Sequence, residues 1–142
     1  MNRLLFLFAF LLLPLAMRAQ MVESAAFKGT IGTFPITLYF QAQTNECTAD
    51  TAYYGMYKYD GKSEWLHLNM DANTKKQFVL VEHGFTGVLM VTRRGDVLEG
   101  TWYSPDRKKT LPVKLRKQGQ TPGELKKMED VFEKLSHDLF DC

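Results

Sequence analysis

The residues able to do acid–base or nucleophilic chemistry are few and scattered. Histidines stand at His67, His83 and His137, each isolated from the others. Glu82 and His83 are adjacent, and adjacent side chains of a strand point to opposite faces, so a shared site there is not expected. A dyad of His67 with Glu64 or Asp60 needs a tertiary approach that no local spacing enforces. Ser63 and Ser104 fall in turn contexts, without the strand–turn–helix setting of a nucleophile elbow. Cys47 has Glu46 beside it, which opposes thiolate formation. No spacing of His, Cys, Asp or Glu matches a zinc or calcium site. The expectation is therefore no catalytic residue, no metal and no cofactor, with a small hydrolase as the least favoured reading.

Aromatic side chains offer better binding chemistry. Tyr39, Tyr54, Trp65 and Tyr103 fall by parity on outward strand faces, His67 shares the face of Trp65, and rings beside polar groups bind sugars, peptides or proteins. Trp102 falls on the opposite face, as core or, together with Tyr57, as the wall of an interior cavity. A basic edge is a second candidate. Arg107, Lys108 and Lys109 cluster in one turn, with Lys114 and Arg116 on the outer face of the next strand. The "GTIG" at 29–32 has the spacing of a backbone clamp for nucleic acid. It lies between two strand-like runs instead of opening a helix, so it reads as a hairpin.

These groups must be positioned by short runs of aromatic and branched residues between turn signals. Strands are expected near 26–31, 34–41, 52–59, 63–70, 76–83, 86–92, 96–103 and 109–117. The breaks include "DGK" (60–62), "DANTK" (71–75), "HGF" (83–85), "RRGD" (93–96) and "SPDRK" (104–108). Connections this short imply an antiparallel meander. Alternation is strict where it can be tested: Phe34, Ile36, Leu38 and Phe40 share one face, and Leu66, Leu68 and Met70 share another. An apolar-x-Gly-x-apolar pattern recurs as "FKGTI" (27–31), "YYGMY" (53–57), "FTGVL" (85–89) and "LEGTW" (98–102). Such glycines let a sheet coil and close. The expected class is all-β, an eight-stranded antiparallel up-and-down barrel, with a β-sandwich as the alternative.

"TPGELKKMEDVFEKLSHDLFDC" (121–142) changes period. Thr121 as N-cap, Pro122 at N1 and Glu124 three after the cap form a capping box, so one helix is expected over 122–140. Its stripe of Leu125, Met128, Phe132, Leu135 and Leu139 is amphipathic. It is expected to dock on the outer face near Val79, Val81, Val88 and Met90, or else to serve a partner chain.

The ends and the charge set the context. "MNRLLFLFAFLLLPLAMRAQ" has the n-region, apolar h-region and small-residue cleavage pattern of a signal peptide. The expected organisation is a leader over 1–19 and a single domain over 20–142, periplasmic or secreted, monomeric, with no membrane span after cleavage. Without Arg3 and Arg18 the chain carries 16 basic and 16 acidic residues. Residues 93–117 hold a net +5 and residues 118–142 a net −3. A neutral chain is a poor nucleic-acid binder, so no nucleic-acid partner is expected. In an oxidising compartment Cys47 and Cys142 are a candidate disulfide. Two free thiols or an intermolecular link are the other possibilities. Closing a loop of about 95 residues is worth roughly 4–5 kcal/mol.

The hairpin "FKGTIGTFPITLYF" and the ending "LEGTWYSPDRKKTLPVKL", behind a leader ending "RAQ", resemble small exported β-domains of uncharacterised bacterial proteins. More broadly, the meander order is similar to that of lipocalin- and avidin-like barrels, and lipocalins also carry a C-terminal helix. The lipocalin Gly-x-Trp belongs to the first strand, whereas "GTW" (100–102) lies in the seventh here. The resemblance implies a fold more than a function. The functional expectation is an exported binding module of the bacterial cell envelope for a protein, glycan or small apolar ligand. The alternative is an inhibitor or interaction protein acting through its helix or aromatic face.

Overall fold

Alternating inward and outward side chains are what let this sheet curl and close. The computed structural model describes residues 19–45 and 47–141. Eight strands follow in order: β1 (Met21–Ile31), β2 (Phe34–Thr44), β3 (Thr51–Tyr59), β4 (Leu66–Ala72), β5 (Gln77–Glu82), β6 (Val88–Arg94), β7 (Val97–Tyr103) and β8 (Thr110–Lys117). Each pairs antiparallel with the next, and β1 pairs with β8, closing the barrel of the expected class. One helix, α1 (Pro122–Phe140), follows. We call the end bearing the β2–β3, β4–β5 and β6–β7 connections the upper end, and the other the lower.

Four strands differ from expectation by two residues or more at a boundary. β1 begins at Met21 and β2 runs to Thr44, because the polar "MVES" and "QAQT" segments pair with each other. Their weak apolar alternation hid them. β4 begins at Leu66, so Ser63, Glu64 and Trp65 belong to the connection. β6 begins only at Val88, because residues 83–87 form the turn.

The inward residues fill the interior. Phe27, Ile36, Leu38, Phe40, Tyr57, Leu80, Leu89 and Leu115 are fully buried there. Phe40 and Phe78 meet edge to face, ring centroids 5.8 Å apart, and Tyr53 meets Phe78 at 5.1 Å. Such edge-on packing occupies the volume that a ligand cavity would need.

The recurring glycines stand where strands press together. A Cβ on Gly29 would overlap the Lys114 carbonyl, and one on Gly100 the Met90 carbonyl. Only glycine permits this close coiling. Gly87 instead lies beneath the Trp102 indole, a ring covering a bare stretch of backbone.

The upper end is closed by charge. Arg93 donates both guanidinium nitrogens to Glu23, at 2.7 and 2.8 Å, and Lys117 adds a bond at 3.0 Å. The same guanidinium lies over the Phe27 and Phe40 rings. These bonds, Arg93 first, hold the Glu23 carboxyl at about 2 against burial that would raise it.

The helix starts as its capping box dictates: Thr121 Oγ1 accepts from the Glu124 amide, and Glu124 accepts from the Thr121 amide. Its docking position differs from expectation. α1 lies on outward residues of β2–β4, with Phe132, Leu125, Met128 and Leu135 packed on Tyr39, Met56 and Trp65. Val79, Val81, Val88 and Met90 are not among the residues packed with the helix stripe, and Met90 is 56% exposed. The cause is chain path. Lys117 leaves β8 opposite Phe27 of β1, and a four-residue link carries the chain over β1 toward β2–β4, where outward Tyr39 and Met56 receive the helix stripe.

The expected Cys47–Cys142 bridge is not seen. Cys47 is an exposed free thiol in the β2–β3 connection at the upper end, and Cys142 lies outside the described residues. α1 runs from the upper end toward the lower end, away from Cys47. Its last residue, Phe140, packs on His83 at the lower end, ring centroids 5.7 Å apart. The leader call over 1–19 also falls almost wholly outside the described residues.

Candidate functional site

Strand pairing lays the outward side chains in rows. One row runs Ala26, Tyr39, Met56, His67 across β1 to β4, every member buried under α1. The next row toward the upper end runs Ser24, Gln41, Tyr54, Asn69. The first row is floor for the helix. The second lies beside it and forms one bank of a groove of about 460 Å³ between helix and barrel. Phe132, Ser136 and Phe140, each four residues apart on α1, form the other bank. That spacing places them on one helix face.

His67 sits at the base of the groove. Its ring stacks on Phe132 at 5.4 Å with 17° between planes, and Phe140 meets it edge-on at 5.0 Å. It is only 6% exposed, and its Nδ1 has no hydrogen-bond partner. Burial, followed by the neighbouring charge of His83, pushes its pKa below the ordinary histidine value. The imidazole is therefore neutral at pH 7. Ser136 Oγ, between the two phenylalanines on the helix, is likewise buried without a partner. Orphaned buried polar atoms are uncommon, because each forfeits its solvation.

The amides form a chain along the floor. Gln43 donates to Gln41 at 3.3 Å, Gln41 donates to the Tyr39 hydroxyl at 2.6 Å, and that hydroxyl meets Ser24 at 3.2 Å. Burial, foremost, raises the Tyr39 pKa, so the phenol stays neutral. Tyr54 is 39% exposed beside Asn69, and its ring is 6.4 Å from Phe132. No residue lining the groove carries a formal charge at pH 7.

The structure thus gathers Tyr39, Tyr54, Trp65 and His67 on the helix-covered side, in unequal roles. Tyr39 is outward by parity yet fully buried by the helix. Trp65 is half-buried in the helix interface, with Lys58 over its ring. Only Tyr54 and His67 line the groove. Tyr103 stands apart, its strand neighbours being Val88 and Thr110. Trp102 points into the barrel and donates its indole N–H to Glu82 at 2.7 Å. No carboxylate bonds to His67 among the described residues, and Asp60 instead accepts from Thr37 at 2.8 Å.

The basic edge is a self-satisfied turn. Asp106 accepts from the Ser104 hydroxyl and the Lys108 amide, and Ser104 Oγ accepts from the Lys109 amide. Arg107 takes a left-handed conformation, φ 60°. Lys108 and Lys109 project to solvent with it. Lys114 pairs with Glu99 at 3.2 Å, and Arg116 is exposed opposite Lys28. The turn needs no ligand to explain its form.

Two features escaped sequence reading. Gln41, Asn69 and Ser136 enter the site only because the helix crosses that row. Glu82, buried inside the barrel, was legible from parity: Phe78, Leu80 and Glu82 alternate on one face of β5. Among the described residues, no three His, Cys, Asp or Glu side chains are grouped to hold a metal ion. Compared with protein-family models, with curated proteins and with solved structures, the chain matches none.

Proposed function

We propose that this protein is a non-enzymatic recognition module whose ligand, a short neutral glycan, lies in the groove between α1 and the outer face of β2–β4. One observation carries the reading: the groove pairs exposed rings with uncharged polar groups, two of which, His67 Nδ1 and Ser136 Oγ, are buried without partners. Sugars present apolar C–H faces and neighbouring hydroxyls, and rings beside amides complement both. The groove volume lies in the range of small-ligand sites, and its lack of charge favours a neutral ligand over an ionic one. The aromatic filling of the barrel argues against carriage of an apolar ligand inside it. The leader pattern at 1–19 supports a periplasmic or secreted location, where envelope glycans are at hand.

Isothermal titration with neutral cello-, malto- and chito-oligosaccharides tests this. Saturable binding to one class is expected, weakened about tenfold in Tyr54→Ala and Asn69→Ala. No saturable heat from any class, with binding to an apolar carrier ligand instead, would reverse the reading.

A further inference from the structure

The lower end of the barrel carries the β1–β2, β3–β4, β5–β6 and β7–β8 turns. The β7–β8 turn holds Arg107, Lys108 and Lys109, all exposed. Strand pairing places it between two others. On one side Val88 pairs with Tyr103, which sets the β5–β6 turn (83–87) beside it. On the other, the Gly32 amide donates to the Pro112 carbonyl at 2.7 Å, which sets the β1–β2 turn beside it. Each flanking turn bares a phenylalanine: Phe34 is 50% exposed and Phe85 56%. With strands about 4.8 Å apart, neighbouring tips are separated by roughly 10 Å. Two bare rings thus bracket three cations along one rim.

The fold itself calls for neither the rings nor the cations. Phe85 stands at φ 56°, a left-handed conformation that strains a bulky residue and that glycine or asparagine would take more readily. The hydrogen bonds of the β7–β8 turn use Ser104, Asp106 and backbone amides, so its three basic side chains are left over. No ion pair involves Lys28, Arg107, Lys108, Lys109 or Arg116 among the described residues. Lys28 and Arg116 are direct partners on the outer face of β1 and β8, where like charges repel. The acidic groups of this end stand elsewhere. Asp60 and Glu64 belong to the β3–β4 connection, and Asp138 and Asp141 to the end of α1, which meets His67 of β4. The β3–β4 side lies across the mouth from the basic turn, so one edge of the rim is positive.

We propose that this rim docks on the surface of a bilayer containing anionic lipid. Phe34 and Phe85 enter the boundary between headgroups and acyl chains, while Arg107, Lys108 and Lys109 meet the lipid phosphates. Lys28 and Arg116, higher on the adjoining outer face, reach headgroups as the barrel tilts toward β8 and β1. Exposed rings set among cations fit a bilayer better than a soluble polyanion, which would be held by charge alone. The rim shares no residue with the groove beneath α1, so the two surfaces are independent.

The probe is vesicles of phosphatidylcholine, with and without phosphatidylglycerol. The readout is flotation of residues 20–142, which hold the whole barrel and helix. Binding to the phosphatidylglycerol vesicles that fades as salt rises is expected. Lys108→Ala should weaken it about fivefold. Phe34→Ser and Phe85→Asn should each weaken it about tenfold, and asparagine suits the left-handed turn, so the fold is kept. A wild-type chain that stays off these vesicles overturns the proposal, and this arm depends on no variant folding. Binding that both phenylalanine variants retain in full, or capture by dextran sulfate without capture by vesicles, makes the rim a site for charge alone and overturns it as well. Self-association that Phe85→Asn abolishes, without vesicle binding, would assign the rim to a second copy of the chain and overturn it too.

Discussion

Replacing Phe132 by alanine is the sharpest perturbation of the helix–barrel contact. The ring is 7% exposed and touches three outward residues of the barrel: His67 at 5.4 Å, Tyr39 at 6.1 Å and Tyr54 at 6.4 Å between ring centroids. Truncating a fully enclosed phenylalanine costs about 3–5 kcal/mol. One side of this ring borders the groove, so neighbours and water can relax into the space, and the lower limit of about 3 kcal/mol is expected. Helices in folded proteins draw most of their stability from packing of an apolar face, so α1 depends on this docking. Urea unfolding followed by far-UV circular dichroism should therefore show helical signal lost first in Phe132→Ala, while the strand signal persists. The His67 ring resonances give a second readout. Burial lowers this pKa, so stability from the neutral ring is complete above the ordinary value of 6.5 and is lost as pH falls through the lower folded value. Removing Phe132 exposes the ring and should move its titration up toward 6.5. A loss below about 1 kcal/mol together with an unmoved His67 titration would refute the docking reasoning.

Three further outcomes follow from the fold. Glu23 has its pKa lowered from 4.5 to about 2, so its stabilising share is present above 4.5 and fades as pH falls toward 2; with partial exposure it amounts to about 1–2 kcal/mol. Thermal melts across that window should show Glu23→Gln flatter than wild type, and parallel curves would count against the ion network. Gly100→Ala drives a methyl into the Met90 carbonyl and should cost about 2–3 kcal/mol in urea titration; a neutral result would contradict the close strand approach. Phe85→Gly relieves a left-handed phenylalanine that is mostly exposed and should stabilise the protein by about 1 kcal/mol, whereas a lowered melting temperature would show that the ring is held by contacts.

The sequence carried the fold in two periodicities. Period-two alternation in Phe34–Phe40 and Leu66–Met70 set which face turns inward, and the glycines at 29, 55 and 100 marked where strands crowd, while Gly87 made room for the Trp102 indole. The capping box at Thr121 fixed where the helix begins. The landing place of that helix was not legible, because it depends on where β8 ends relative to β1 and on a four-residue link. The same gap hid the fate of Tyr39, which alternation places outside but a tertiary lid buries, and of Cys47, which lies at the end of the barrel opposite Phe140. Glu82 shows the reverse: its inward direction follows from strict parity in β5, and local pairing with His83 distracted from it.

The central claim is that the groove between α1 and β2–β4 binds a ligand through its rings and amides. The most direct measurement is a nuclear magnetic resonance titration of the Gln41, Gln43 and Asn69 side-chain amides, with the His67 ring, against the neutral oligosaccharide panel. Saturable shifts at these groups, with the Lys108 and Lys109 resonances of the basic turn unmoved, are the result expected. Side-chain amides that stay fixed while the backbone of the basic turn or the β5–β6 outer face shifts would contradict it.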